Sequence, residues 1–256
     1  MEQNKKAKDG EKSFCKLFNL IRYIAKSGDG ISGKQLVVES GIPASTTFRM
    51  LKFLVDGGYI AVHNGLYTLG IEMARLGDIA RDQNPLAKTA RPFLEQLSEQ
   101  SLETAHLARR ERNQVLYVDK VDGVRPIRMV SMVGTYSPLY CTGVGKAMLA
   151  FMPSREREAL LEEMKFERLT PTTITDTETL RSELVKIAQQ GYAVDNCEQK
   201  PGLYCIAAPV FDNEGKLIAG ISISGAEFYM RTDTQKLASL VMQTANALSQ
   251  ALGHRV

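Results

Sequence analysis

The chain of 256 residues carries 32 Lys and Arg, 29 Asp and Glu, and a net charge of +3, which is too small to indicate any class of partner. Its four cysteines form no C-x-x-C pair and its three histidines are scattered, so the spacing argues against a zinc site. No apolar run approaches the roughly 20 residues of a membrane helix, and the N-terminus lacks the apolar segment of a signal peptide. We therefore expect a soluble, cytoplasmic protein without a metal or other cofactor.

The first 70 residues show the pattern of a small helical domain. Residues 1–12 are polar and charged and are predicted to form a disordered tail. The domain spans residues 13–70: apolar spacing predicts helices at 13–26 and 33–40, and a longer one between the turn at 41–43 and the two glycines at 57 and 58. Between the last two, Gly41-Ile42-Pro43 turns the chain, because Gly tolerates positive φ and Pro suits the start of a helix. A helix, a short turn and a second helix are typical of a helix-turn-helix.

The second helix of this motif has two different faces. Residues at steps of three and four form an apolar face of Thr47, Met50, Leu51, Leu54 and Val55. The opposite face suits phosphates and base edges and carries Ser45, Thr46, Arg49 and Lys52. We expect Ser45 or its neighbour to cap the first turn. Phe48 either joins the core or touches a thymine methyl, and the pattern leaves both interpretations open.

A small hairpin follows the second helix. Residues 59–62 and 66–69 are β-type runs, and the Asn64-Gly65 pair between them is a strong hairpin signal. Such a hairpin would be the wing of a winged helix-turn-helix. Residues 1–70 hold ten Lys and Arg against six Asp and Glu, so the basic excess lies in this part of the chain. A helical hairpin with a charged outer face also occurs in proteins that bind no DNA, and that interpretation stays open here.

Residues 71–84 are predicted to form a linking helix that Asn84-Pro85 ends. It has more apolar positions than contact with one domain requires, and we predict that it packs against a partner chain. A second domain spans residues 85–253. Helices are predicted at 87–100, 143–152, 154–165 and 234–252, with a further one that a Thr175/Glu178 capping box precedes and Gly191 ends. Strands are predicted at 104–108, 114–119, 125–133, 192–195, 205–211 and 217–224. This order predicts an α+β domain with an antiparallel sheet and helices on its faces.

The second domain lacks the sequence patterns of three common kinds of catalytic site. The segment around Gly143, Gly145 and Lys146 is no phosphate loop, because Tyr140 and Ala147 occupy required positions. Neither Ser222 nor Ser224 has glycines two residues away on both sides, as a nucleophile elbow needs. Cys205 and His106 are a conceivable but distant nucleophile and base. We predict no catalytic residues.

A polar set remains on strands otherwise made of Val, Ile and Ala: Asp195, Cys205, Ser222 and Ser224. These are either ordinary small strand residues or part of a pocket for a small polar ligand. In the second case, the backbone N–H groups of Gly143 and Val144, at a helix N-terminus, would suit a ligand carboxylate.

Long motifs are distributed over residues 13–253. They include Gly-Ile-Pro-Ala-Ser-Thr-Thr-Phe-Arg-Met-Leu at 41–51, Gly-Leu-Tyr-Thr-Leu-Gly at 65–70, Leu-Tyr-Cys-Thr-Gly-Val-Gly-Lys-Ala-Met-Leu-Ala at 139–150, Leu-Thr-Pro-Thr-Thr-Ile-Thr at 169–175, Gly-Tyr-Ala-Val-Asp-Asn-Cys-Glu at 191–198, Pro-Gly-Leu-Tyr-Cys-Ile-Ala-Ala-Pro-Val-Phe at 201–211 and Ile-Ser-Ile-Ser-Gly at 221–225. In these motifs the chain resembles the IclR family of transcriptional regulators over nearly its full length.

The resemblance implies an N-terminal winged helix-turn-helix, a linking helix and a C-terminal effector domain with a GAF-like fold. It also implies a homodimer formed through the N-terminal domains, paired into a dimer of dimers, and a small effector that is an organic, sugar or aromatic acid. The effector-binding residues that it implies are Gly143, Val144, Asp195, Cys205, Ser222 and Ser224. The stretch Pro126–Met129, with Ser137 and Leu203, would help to line the pocket.

The function expected is that of a transcriptional regulator, a repressor, whose binding to double-stranded operator DNA is controlled by a metabolite, in particular a carboxylate. The residues expected to contact or position DNA are Lys34, Ser45, Thr46, Thr47, Arg49, Lys52, His63, Asn64 and Tyr67. The alternative is a metabolite-binding protein or enzyme whose helix-turn-helix does not bind DNA.

Overall fold

The computed structural model of the chain describes residues 2–126 and 132–255. These belong to two compact units, Met1–Gln83 and Asn84–Val256. None of the helices in the described ranges is long and apolar enough to cross a membrane.

The first unit is a helix-turn-helix with a small sheet. Its elements are α1 Glu2–Lys26, β1 Ile31–Ser32, α2 Gly33–Ser40, α3 Ala44–Asp56, β2 Ile60–His63, β3 Leu66–Leu69 and α4 Ile71–Asp82. The strands form an antiparallel sheet in the order β1-β3-β2. Asn64 and Gly65 join β2 to β3 with φ values of 52° and 78°, as a two-residue type I′ hairpin requires. The predicted wing hairpin is therefore confirmed.

Two features of this unit differ from the sequence-based prediction. Residues 2–12, predicted to be disordered, are the first turns of α1. Their Glu, Gln, Lys and Ala residues favour helix, and extending an existing helix avoids the cost of nucleation. Strand β1 was not predicted, because two residues are too few for a periodic signal; Ile31 pairs with Tyr67 and adds a third strand to the wing.

The second unit is built around one six-stranded sheet. Its elements are α5 Pro85–Ser101, β4 Thr104–Glu111, β5 Gln114–Val121, β6 Tyr136–Pro138, α6 Gly143–Phe151, α7 Ser154–Glu163, α8 Thr177–Gln190, β7 Ala193–Asn196, β8 Leu203–Phe211, β9 Leu217–Ala226, the short α9 Glu227–Met230, a 3-10 turn Arg231–Asp233, and α10 Thr234–Ala251. The strand order is β6-β5-β4-β9-β8-β7, and all neighbours are antiparallel.

Helices cover both faces of this sheet. Helices α5 and α10 pack on one face, with Leu94, Leu107 and Ile223 in the core between them. Helix α6 packs on the other face, with α7 and α8 beside it, in a core that includes Met148 and Ala207. The predicted α+β domain with an antiparallel sheet and helices on its faces is confirmed.

Two details of the second unit correct the predictions. Most of the strand predicted at 125–133 lies outside the described residues, and its described ends are not strand; the sheet edge is β6 instead. The cap of α8 is Asp176, whose carboxylate accepts the Thr179 N–H at 2.8 Å, whereas the prediction placed the cap at Thr175. Thr and Asp are both common helix caps, and because α8 begins at Thr177, the cap is Asp176.

Candidate DNA-binding surface and effector cavity

The two helices of the helix-turn-helix are joined by a tightly defined turn. Ser32 caps α2 in a capping box with Gln35, and Gly41 ends that helix with a φ of 64°. Helix α3 starts after Pro43 and has no side-chain cap, so the predicted cap by Ser45 or its neighbour is wrong. Its first-turn N–H groups therefore have no side-chain partner, which is the arrangement that binds phosphate at a helix N-terminus.

The structure exposes most of the predicted DNA-contacting residues. Exposed side chains are Lys34, Ser45, Arg49, Lys52, His63 and Asn64, and partly buried ones are Thr46 and Tyr67. The apolar face of α3 is buried as predicted, with Met50, Leu51 and Leu54 in the core.

Thr47 is an exception among the predicted DNA contacts. It is 0% exposed, and its hydroxyl donates to the Ile42 carbonyl at 3.2 Å. Thr47 therefore braces the turn and cannot reach DNA, because its position belongs to the buried stripe of α3. The ring of Phe48 lies over the start of α2, where a Cβ added at Gly33 would be 2.7 Å from it. Phe48 thus packs within the motif while 46% of its surface stays exposed.

In the second unit, strand register brings polar side chains together on the α6 face of the sheet. Ser224 pairs with Cys205, and Cys205 pairs with Asp195 on the next strand. Two residues along β9, Ser222 pairs with His106 of β4. The Ser224 hydroxyl donates to the Cys205 sulfur at 3.0 Å. Residues more than 100 positions apart in the chain thus form one polar row.

A cavity of about 340 Å³ lies beside this row. Its described lining residues are His106, Tyr117, Met132, Thr135, Tyr136, Ser137, Gln199, Lys200, Leu203, Cys205 and Ser224. Of the residues named from sequence, Ser137, Leu203, Cys205 and Ser224 are among them. Met129 lies outside the described residues.

The other predicted effector ligands adjoin these lining residues. Asp195 is beside Cys205, and Ser222 is beside His106. A Cβ added at Gly143 would lie 3.5 Å from that of Cys205, so the N-terminus of α6 abuts β8. The structure therefore places Gly143, Asp195 and Ser222 next to residues that line the cavity. Neither these three residues nor Val144 are among its described lining residues.

Burial determines the protonation of the groups in and behind the cavity. Burial lowers the pKa of His106 to about 4, so its ring is neutral at pH 7. Burial raises the pKa of the Tyr117 hydroxyl and places the pKa of the Cys205 thiol well above its usual value, so both stay protonated. A protonated thiol is a poor nucleophile, which argues against the Cys205–His106 pair as a catalytic site.

A buried acidic pair lies behind Cys205. The Asp195 carboxylate accepts the Glu198 N–H at 2.7 Å and the Gln199 N–H at 3.4 Å. Desolvation raises its pKa to about 7. Glu198, also buried, forms an ion pair with the fully buried Lys146 of α6. These contacts attach the segment after β7 to α6.

Several cavity residues were missed from the sequence: His106, Tyr117, Gln199 and Lys200 were not assigned to the pocket. Alternation along β4 could have placed His106 on one face, but only the pairing of β4 with β9 puts it beside Ser222. In the described part of the chain, no cluster of three or more His, Cys, Asp or Glu could hold a metal.

Two family models match the chain: the IclR helix-turn-helix domain at residues 15–63 and the bacterial transcriptional regulator IclR C-terminal domain at residues 80–250. The chain belongs to the IclR family of transcriptional regulators. Among IclR-family relatives, the HTH-type transcriptional regulator KdgR of Escherichia coli (strain K12) is 32% identical over 252 residues, which span 97% of this chain and 95% of KdgR. The HTH-type transcriptional repressor AllR of Klebsiella pneumoniae is 30% identical over 255 residues, 98% of this chain and 94% of AllR.

The crystal structure of Thermotoga maritima IclR superimposes with a TM-score of 0.83 at 29% identity, covering 95% of this chain and all of that one. The IclR-family membership inferred from the motifs is therefore confirmed, and with it a DNA-binding regulator that joins a helix-turn-helix to an effector-binding domain.

Proposed function

We propose that the protein is a repressor that binds operator DNA as a homodimer through α3 and the wing, and that a small carboxylic acid in the cavity beside β8 and β9 releases it. The observation that carries the proposal is the two-sided α3 helix. One face is buried in the core, while the other exposes Arg49 and Lys52 next to an uncapped N-terminus.

This geometry assigns roles to the exposed residues. In a helix-turn-helix the second helix enters the major groove, so Arg49 and Lys52 contact bases or phosphates there. Ser45 and Thr46, in the first turn of α3, hold a phosphate at the helix N-terminus. Contacts to the DNA backbone from α2 and the wing are assigned to Lys34, His63, Asn64 and Tyr67.

The cavity is the effector site in this proposal. Leu203, Cys205 and Ser224 contact the ligand directly. Asp195 and Ser222 hold their neighbours in place, and the N–H groups of Gly143 and Val144 stabilise a carboxylate. Catalysis has no part in the proposal, since the relatives are named as transcriptional regulators. Because the function requires chromosomal DNA, we assign the protein to the cytoplasm.

Exposed apolar residues in the first unit support the homodimer. Phe14 and Phe18 of α1 are 66% and 59% exposed, and Ile71 of α4 is 83% exposed. Leu76 and Ile79 of α4 also remain exposed. Exposed apolar side chains clustered on two helices are typical of an interface. A second copy of this unit covers them, and pairing of two dimers would give a tetramer.

The proposal is tested by fluorescence anisotropy with DNA from upstream of the protein's own gene. Arg49→Ala should weaken binding, and, if Arg49 contacts one phosphate, should reduce the slope of log affinity against log salt by about 0.9. The control is Arg155→Ala, which removes the same charge from an exposed position on α7 of the other unit. Unchanged affinity and slope for Arg49→Ala would refute the assignment of α3 as the recognition helix.

A further inference from the structure

The exposed face of α3 carries an aromatic ring among its polar side chains. Residues three and four positions apart are neighbours on a helix, so Phe48 lies beside Ser45 and Lys52, and it precedes Arg49 directly. All four side chains are exposed. Phe48 therefore belongs to the surface that the proposed function places against DNA, although a phenyl ring has neither a donor nor an acceptor for base edges or phosphates.

The position of Phe48 distinguishes it from an ordinary exposed apolar side chain, which is common on protein surfaces. In helix-turn-helix proteins the N-terminal residues of the second helix contact the base edges. Phe48 is the fifth of the 13 residues of α3, whereas Phe53, which is 63% exposed, lies in the last turn with the acidic Asp56. Of these two exposed rings, Phe48 is the one at the end of the helix that enters the groove.

The ring of Phe48 is held in place from the side of α2. A Cβ added at Gly33 would be 2.7 Å from Cε1 and 3.0 Å from Cζ of Phe48, and 3.4 Å from Cε2 of Tyr67. The glycine therefore leaves the tip of the ring enough room against the start of α2, beside Tyr67 of the wing. A side chain that is already fixed in the free protein loses little conformational entropy when it binds.

The major groove offers only one kind of apolar group. Each base pair presents hydrogen-bond donors and acceptors there, and thymine also presents its C5 methyl group. A phenyl ring against a donor or acceptor displaces water without replacing its hydrogen bond, which weakens binding. Against a methyl group both surfaces are apolar and leave water together. The ring therefore favours thymine over cytosine, which has no methyl group.

We propose that Phe48 recognises a thymine in each half-site of the operator, by contact of its exposed ring with the C5 methyl group. This inference rests on the proposed function, in which α3 is the recognition helix, and adds a base preference to it. One methyl group in apolar contact should raise the affinity about fourfold, the factor that corresponds to burial of one CH₂ group. Two half-sites should give about 15-fold.

The experiment compares two duplexes by fluorescence anisotropy with the full-length protein. One duplex is DNA from upstream of the protein's own gene, and in the other deoxyuridine replaces every thymidine. Uracil lacks only the methyl group and keeps the O4 acceptor and the pairing with adenine. The native protein should bind the thymine duplex about 15-fold more tightly or better. Replacement of one thymidine at a time should locate a loss of about fourfold at one position in each half-site.

Variants assign this preference to the ring. In Phe48→Ser, the ratio of the affinities for the two duplexes should fall about 15-fold below the native ratio. Phe48→Leu keeps an apolar side chain and should keep most of the preference. The matched control Phe53→Ser makes the same change in the last turn of α3 and should keep the native ratio. Both affinities are measured on the same variant, so a partial loss of folded protein cancels from the ratio.

The outcomes separate this inference from the proposed function. If the native protein binds neither duplex, the proposed function is refuted and the inference fails with it. If it binds both duplexes with equal affinity, DNA binding still supports the proposed function and only the inference is overturned. A preference for thymine that Phe48→Ser retains belongs to another side chain or to the shape of the DNA, and it also overturns the inference.

Discussion

The protonation of Asp195 makes a quantitative prediction about stability. The side chain is fully buried, and desolvation raises its pKa from 3.8 to about 7. Between pH 5 and pH 7 the folded protein therefore keeps most of this proton, which is half released at pH 7, whereas the unfolded chain has released it. Folding takes up a proton in that range, so the free energy of unfolding falls as the pH rises. At about 1.4 kcal/mol per pH unit, the loss over these two units is roughly 3 kcal/mol.

Asp195→Asn removes the titrating group and keeps its shape. The amide oxygen can still accept the N–H groups of Glu198 and Gln199, which Asp195 accepts at 2.7 Å and 3.4 Å. Urea unfolding followed by circular dichroism at pH 5 and pH 8 measures the effect. The native protein should lose about 3 kcal/mol more than the variant between the two pH values.

The control is Asp233→Asn, which removes an exposed carboxyl from the same unit and should keep the native pH dependence. Equal pH dependence in the native protein and Asp195→Asn would refute the reasoning. It would mean that the buried ammonium of Lys146 and the two N–H donors outweigh desolvation and hold the carboxylate ionised.

Three further changes test other parts of the structure. Thr47→Val should lower the free energy of unfolding by about 1 kcal/mol, because it removes the hydrogen bond to the Ile42 carbonyl. The affinity for DNA should stay unchanged. Weaker DNA binding at unchanged stability in urea would contradict the placement of Thr47 in the core. Lys146→Met leaves the buried Glu198 without its cation and should destabilise the protein by roughly 3–5 kcal/mol at pH 8. The loss should be smaller at pH 5, because burial raises the pKa of Glu198 and a protonated carboxyl needs no cation. A loss below 1 kcal/mol at pH 8 would show that the ion pair is dispensable. Phe18→Glu should yield monomers in light scattering, and an unchanged mass would exclude α1 from the interface.

Local periodicity was enough to predict the helix-turn-helix and the wing. The apolar stripe of α3 and the Asn64-Gly65 turn are signals contained within a few residues. The same stripe already included Thr47, so its burial could be anticipated, although its bond to the Ile42 carbonyl could not. Long motifs also identified the family and the polar positions on β8 and β9.

The cavity depended on information that no short segment contains. A bulge between β4 and β5 pairs Ala108 with Tyr117 but Leu107 with Asp119. Tyr117 and Asp119 would share a face of a regular strand, yet Tyr117 lines the cavity while Asp119 bonds Arg91 of α5 on the opposite face. Simple alternation therefore fails in this region.

The features that the sequence determined differ from those that the tertiary structure decided, and the difference has a physical reason. The sequence by itself determined the order of the elements, the two-sided recognition helix and the small polar residues of β8 and β9, because each depends on side chains a few positions apart. Only the tertiary structure placed His106 beside Ser222 and Gln199 against Ser137, because strand order and register are set by the packing of the whole sheet between its two helical layers.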